Sequence, residues 1–223
     1  MATSGLNAVR SRMVSAAAEA GRDVTDIDLV VVSKLRSDAE VLAVYAEGQR
    51  TFAENRQQAF KARIDADLPD DIEWHFVGPL QSRKARYVAQ HASLLHSLDR
   101  LSLAQRWVAA EGGPALIQFN LAGEPQKSGF DPDRAHEVLD TVLETGADVR
   151  GVMAIPPITR DPRDSAPWFR MLRGIYDDFR ERNGNIVVCS MGMTNDLEIA
   201  ILEGATTIRV GRAIFEGTNS HTG

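Results

Sequence analysis

The chain has a single cysteine, Cys189, so no intrachain disulfide can form. That usage fits a reducing compartment. No apolar run approaches the roughly 20 residues that a membrane-crossing helix needs. The N-terminus carries no secretory pattern, and together these features lead us to expect a cytoplasmic protein. Positive charge is in deficit: 25 Lys and Arg stand against 31 Asp and Glu, a net charge of −6. That balance disfavours non-specific binding to nucleic acid or to anionic membranes. Neither G-x-G-x-x-G after a strand nor G-x-x-x-x-G-K-[ST] occurs, so both standard nucleotide loops are missing. No low-complexity segment interrupts the chain, although the tail from Gly217 to Gly223 reads as frayed.

What is present is an alternation of short apolar runs with amphipathic stretches. Residues 5–21 read as an Ala-rich helix that Gly21 stops. Strands are expected at 28–33, 51–53, 72–77, 93–98, 115–121, 149–154, 186–189 and 207–210. Helices are expected between them, near 37–47, 55–66, 81–91, 101–110, 133–144, 167–182 and 195–203, with a short last one from about Arg212. Strict alternation without a break in composition indicates a parallel α/β fold. Eight such units in 223 residues fit a single (β/α)8 TIM-type barrel with an extra N-terminal helix, spanning 1–223 as one domain. A doubly wound sheet is the other arrangement compatible with this order.

The first strand, Leu29-Val30-Val31-Val32, has the β-branched content of a strand buried on both faces, and it ends in Ser33-Lys34. Helix-start signals follow at Ser37 and Asp38. Lys34 therefore stands where a buried strand gives way to a loop, the end at which parallel α/β folds place their chemistry. A partly desolvated lysine amine there can attack a carbonyl and form a Schiff base. A surface lysine capping a strand end would have the same local sequence.

If the barrel closes, the segments after the other strands meet Lys34 at one mouth. After strands seven and eight lie Ser190-Met191-Gly192-Met193-Thr194-Asn195-Asp196 and Gly211-Arg212, with Arg209 inside strand eight. Hydroxyls, glycines, backbone N–H groups and arginines at that point suit a phosphate. Ser190 and Thr194 could equally cap the following helix, and Gly211 could be a plain turn glycine. A Schiff-base lysine beside a phosphate cradle suggests pyridoxal 5′-phosphate.

Other polar residues are weaker on their own. His75 reads as a hydrogen-bonded core residue, and His91 and His96 have no metal-ligand spacing, so no metal is assigned. Cys189 reads as a buried strand residue. Asn55 could cap a helix or touch a ligand, and Lys127 reads as solvated. Arg83, Lys84 and Arg86 form a basic face that is either solvated or able to steer an acidic partner.

These stretches resemble the pyridoxal-phosphate homeostasis protein family, which is related to the N-terminal barrel of alanine racemase. VVSK at 31–34, FAEN at 52–55 and WHFVGPLQSRK at 74–84 carry the resemblance first. QFNLAGEPQKSGF at 118–130, GVMAIPP at 151–157, SMGMTNDLEIAILEGATTIRVG at 190–211 and AIF at 213–215 continue it. The resemblance implies Lys34 as the lysine of the internal aldimine and Asn55 near the cofactor ring. It also implies Ser190, Gly192, Arg209 and Gly211 around the phosphate and ring. Ala53, Arg83, Arg212 and Glu216 depart from the family pattern.

Racemisation needs a second acid/base on the opposite face of the cofactor. In alanine racemase a tyrosine from a further domain of the partner subunit supplies it. Here the expected barrel fills the chain, and Tyr45, Tyr87 and Tyr176 fall in helix interiors. The resemblance thus implies a cofactor-holding protein of vitamin B6 and amino-acid homeostasis, acting as a monomer or weak dimer, with apo-enzymes as potential recipients. A slow single-domain racemase is the alternative.

Overall fold

In the computed structural model, which describes residues 4–216, eight parallel strands close into a barrel in the order β1 to β8. They are β1 (Asp28–Val32), β2 (Thr51–Glu54), β3 (Glu73–Phe76), β4 (Leu94–Leu98), β5 (Ala115–Phe119), β6 (Val149–Ala154), β7 (Val188–Ser190) and β8 (Thr207–Val210). Helix α1 (Gly5–Glu19) precedes the barrel, and α2 (Asp38–Ala46) to α9 (Arg212–Phe215) follow the strands in turn. Between them come α3 (Gln57–Ile64), α4 (Ala85–Ala89), α5 (Leu101–Val108), α6 (Ala135–Glu144), α7 (Ala166–Arg182) and α8 (Leu197–Leu202). The barrel and its extra N-terminal helix are those expected from the sequence. The tail from Gly217 lies outside the described residues.

The expected boundaries shift where the chain winds more tightly. The helix expected at 81–91 is a 3₁₀ turn, Ser82–Lys84, followed by the short α4. The helix expected from Asp133 likewise opens as a 3₁₀ turn, Pro132–Arg134, with Pro132 at its start, where a missing N–H costs nothing. The start expected near Asn195 moves to Leu197, because Asp196 accepts the N–H of Met193 through Oδ1 at 2.7 Å and holds the preceding turn.

The main core lies between the sheet and its helices, where Phe52, Phe60, Phe76, Phe119, Phe169, Phe179 and Trp107 are fully buried. Helix α1 joins this layer through Leu6, Val9, Met13, Ala16 and Ala17. A second, smaller cluster of Leu94, Leu116 and Met153 fills the barrel interior, with Val188 against it. Strand pairing identifies the rest of that interior. Arg209 pairs with Val30, Val32 with Ala53, Ala53 with His75, and His75 with Leu94, all on one face of the sheet. Met153 pairs with Ser190 on the same face. By the two-residue alternation of strands, His96 belongs there too, and Lys34 and Asn55 continue that parity beyond β1 and β2.

No described helix is long and apolar enough to cross a membrane. Among the described residues no cluster of His, Cys, Asp or Glu is arranged for a metal ion.

Candidate functional site

Most barrel interiors are filled with branched apolar residues. Here four polar side chains cross the interior as a chain of hydrogen bonds. His75 Nδ1 lies 3.0 Å from His96 Nε2, and His96 Nδ1 lies 2.9 Å from Ser190 Oγ. Arg209 donates one N–H to Ser190 Oγ at 2.6 Å and another to the Ala154 carbonyl at 3.0 Å. Burial pushes the His75 imidazole down to about 4. It drives His96 well below the ordinary range, with the fields of His75 and Arg209 adding to the effect. Both rings are therefore neutral at physiological pH.

Arg209 is the charged member of this chain. Burial lowers its guanidinium to about 10, which leaves it charged at neutral pH, and the field of Asp196 opposes the shift. Among the described residues no carboxylate hydrogen-bonds to it. A guanidinium has five N–H donors, and the two bonds to Ser190 and Ala154 use two. A buried cation with donors to spare suits an acceptor-rich anion.

Ser190 lies inside the barrel and does not cap α8, whose N-cap residue is Asp196. Thr194 does not cap it either; its carbonyl accepts from Arg12 at 2.8 Å. Gly192 holds a positive φ of 90°, and its carbonyl accepts the N–H of Arg209 at 3.0 Å. A Cβ on Gly192 would come within 2.5 Å of Ala200, so packing against α8 requires the glycine. Gly211 lies against β1: a Cβ there would meet the Val32 carbonyl at 2.7 Å. Gly211 thus brings the end of β8 against the strand that leads to Lys34. Arg212 is exposed.

Lys34 sits in the turn after β1 and is exposed. Among the described residues its side chain makes no hydrogen bond or ion pair. The sequence suggested partial desolvation as the source of its reactivity; the structure places it in the open mouth. Ser33 closes the turn by accepting the N–H of Arg36 at 3.0 Å. Leu35, the next residue, has a positive φ of 63° and is 90% exposed. A capping box of Ser37 and Glu40 then starts α2. Asn55 is half-buried beyond β2 and does not cap α3, whose N-cap is Arg56. It remains available to a ligand.

The remaining candidates separate cleanly. Cys189 is fully buried, and burial pushes its thiol up to about 12, so it is no nucleophile. Lys127, expected to be solvated, is half-buried: Nζ pairs with Glu124 in its own loop and donates to the Pro156 carbonyl in the segment after β6 at 3.0 Å. Asn120 organises that loop by donating to the Glu124 and Lys127 carbonyls. Tyr45, Tyr87 and Tyr176 all lie on outer helices, on α2, α4 and α7. Sequence reasoning missed His96, which was weighed only as a metal ligand. Its one signal was a histidine on the inner parity of β4, next to the apolar Leu94 and Leu95.

Known proteins share this architecture. The family model for the alanine racemase N-terminal domain matches residues 6–219. Pyridoxal phosphate homeostasis proteins of Aquifex aeolicus and Pseudomonas aeruginosa are 37% and 40% identical to the chain. The matches cover 94% and 93% of this chain and 95% and 91% of those proteins. A protein of unknown function from Bifidobacterium adolescentis superposes with a TM-score of 0.84 at 31% identity, covering 95% of this chain and 93% of that one. PipY of Synechococcus elongatus, solved with pyridoxal phosphate bound, superposes with a TM-score of 0.76 at 32% identity, covering 93% and 99%. The relatives are named for homeostasis, not for a reaction. By family model and by identity over nearly its whole length, the chain belongs to the pyridoxal phosphate homeostasis protein family, within the alanine racemase N-terminal domain group.

Proposed function

We propose that this protein binds pyridoxal 5′-phosphate covalently and reversibly through Lys34, and holds it for intracellular vitamin B6 and amino-acid homeostasis. The observation that carries this reading is the pairing of an exposed lysine at the barrel mouth, unpartnered among the described residues, with a buried, incompletely used arginine inside it. The residue types fit the cofactor. When bound, it would supply an electrophilic aldehyde for an amine and a phosphate for an anion site. Lys34 is the amine. Ser190 and Arg209 supply donors, Gly192 and Gly211 shape the loops that carry them, and Asn55 lies toward the ring. The bound cofactor in the PipY structure supports the assignment.

We read the whole chain, 1–223, as one such domain working in the cytoplasm as a monomer or weak dimer. Apo forms of pyridoxal-phosphate enzymes are its proposed recipients. Efficient racemisation is not part of the proposal, since all three tyrosines lie on outer helices. Borohydride reduction of the loaded protein, followed by peptide mapping, should place the cofactor on Lys34, and Lys34→Ala should abolish the covalent adduct. A label on Lys84 or Lys127 would overturn the assignment.

A further inference from the structure

Beneath the Lys34 turn lies a network of charged groups that the cofactor site does not use. Glu54, at the end of β2, is fully buried on the face away from the barrel interior. Its Oε1 accepts from Ser33 Oγ at 2.8 Å and from Arg63 Nε at 3.3 Å, while Oε2 is buried without a partner among the described residues. Arg63, on α3, is itself 8% exposed. Its guanidinium also pairs with Asp38 at the start of α2.

One nitrogen of Arg63 reaches the backbone on both sides of the lysine. It donates to the Arg36 carbonyl and makes a longer contact of 3.5 Å with the Ser33 carbonyl. Ser33 and Arg36 are the first and last residues of the turn that carries Lys34 and Leu35. Leu35 occupies the left-handed region, which a side chain with a Cβ disfavours and glycine tolerates. Such a conformation persists when its surroundings over-determine it.

We propose that Arg63, held by Glu54 and Asp38, is the positioning residue for Lys34. It never touches the ligand. It grips the two carbonyls that bracket a strained turn and so fixes where the exposed lysine leaves the backbone. The lysine is free to move at its tip and anchored at its root. This inference rests on the assignment of Lys34 above.

The test uses apo full-length protein and two probes: pyridoxal 5′-phosphate, and pyridoxine 5′-phosphate, which keeps ring and phosphate but has an alcohol in place of the aldehyde. Arg63→Met strands the Glu54 carboxylate and can unfold the chain. The working variant is therefore Glu54→Gln with Arg63→Gln, which removes both charges together. The rate at which borohydride-trappable label accumulates on Lys34 should fall by about tenfold or more, because small displacements of a reacting group cost rate steeply. Affinity for pyridoxine 5′-phosphate should stay within about twofold of wild type, since the anion site is untouched. Amide exchange at Arg36, which bonds to Ser33, should quicken in the apo variant.

Labelling of Lys34 at the wild-type rate in the variant overturns the positioning role and leaves the functional reading standing. An equal fall for both probes overturns it too, because the network would then act through the fold as a whole. If wild-type label maps away from Lys34, the functional reading itself fails, and that result is separate from either of the others.

Discussion

Acid should weaken this protein in a pH range where most proteins are indifferent. The cause is the histidine pair inside the barrel. His75 titrates near 4 in the folded protein, and His96 well below its ordinary value. In the unfolded chain both return to about 6.5. Between about 6.5 and 4 the unfolded state therefore binds more protons, so stability falls as pH falls through that window. At pH 5 an unfolded imidazole has taken up almost a full proton, and a folded one titrating near 4 almost none. The loss from pH 7 to pH 5 is then about 2 kcal/mol for His75. His96, also held below its ordinary range by burial, acts in the same direction. The His75 loss alone is a sizeable share of a total that for a domain is typically about 5–15 kcal/mol. Burial raises the carboxyls of Asp28 and Asp196, which act in the opposite sense closer to their own range, so the comparison stops at pH 5. The assay is urea unfolding of the apo protein at pH 7 and pH 5 at fixed ionic strength, followed by circular dichroism. His75→Gln should shrink the loss by about 2 kcal/mol. A wild-type loss under about 1 kcal/mol would refute the argument, as would an undiminished loss in the variant.

Three further outcomes follow from particular contacts. Ser190→Ala should weaken pyridoxal phosphate more than pyridoxal in equilibrium titrations, whereas Gly211→Val should weaken both and lower the melting temperature, because its new side chain meets the Val32 carbonyl. Leu35→Gly relieves a left-handed leucine and should change stability by no more than about 1 kcal/mol in either direction, relief of strain opposing the entropy of the glycine; a larger loss in thermal unfolding would mean that the exposed leucine side chain makes a contact of its own. A groove of about 620 Å³ between α4 and α5 brings Arg106 beside Arg83 and Arg86; if it steers an acidic apo-enzyme, changing all three to Ala should slow cofactor transfer at low salt and matter little at high salt, and equal rates under all conditions would remove the groove from the transfer step.

The barrel was legible in the sequence because its signals are local. Each strand is a short β-branched or apolar run, and each helix carries its own periodicity and stop. The position of Lys34 in the turn after β1 was legible for the same reason, since a strand end and the helix-start signals at Ser37 and Asp38 flank it. The interior was not. The His96–Ser190 bond joins residues 94 apart in the chain, and no spacing rule encodes such a pair. Ser190 also carries the local signature of a helix cap, and only closure of the barrel shows that its hydroxyl is turned inward. Gly211 read either as part of an anion cradle or as a plain turn glycine; a Cβ there would meet the carbonyl of Val32 on another strand. The left-handed backbone at Leu35 had no sequence signal, because glycine or asparagine is the residue expected there.

The two ends of the proposed site lie in opposite environments, and that contrast bears on what the protein does with its ligand. Ser190, His96 and Arg209 are buried and already bonded to one another. Donors fixed before binding lose little freedom when an anion arrives, so this end favours retention. Lys34 is exposed, with its root in a braced turn and its side chain unpartnered among the described residues. Joining an amine to an aldehyde releases water, and water reverses the step. A lysine in a closed, dry pocket would be shielded from that reversal; one at an open mouth is not. Affinity is thus concentrated where the ligand would be recognised, and reversibility where it would be bonded. An enzyme that must protect a reactive intermediate needs the opposite arrangement, with the covalent end sealed from solvent. The distribution of burial across this one site therefore favours holding and release over turnover.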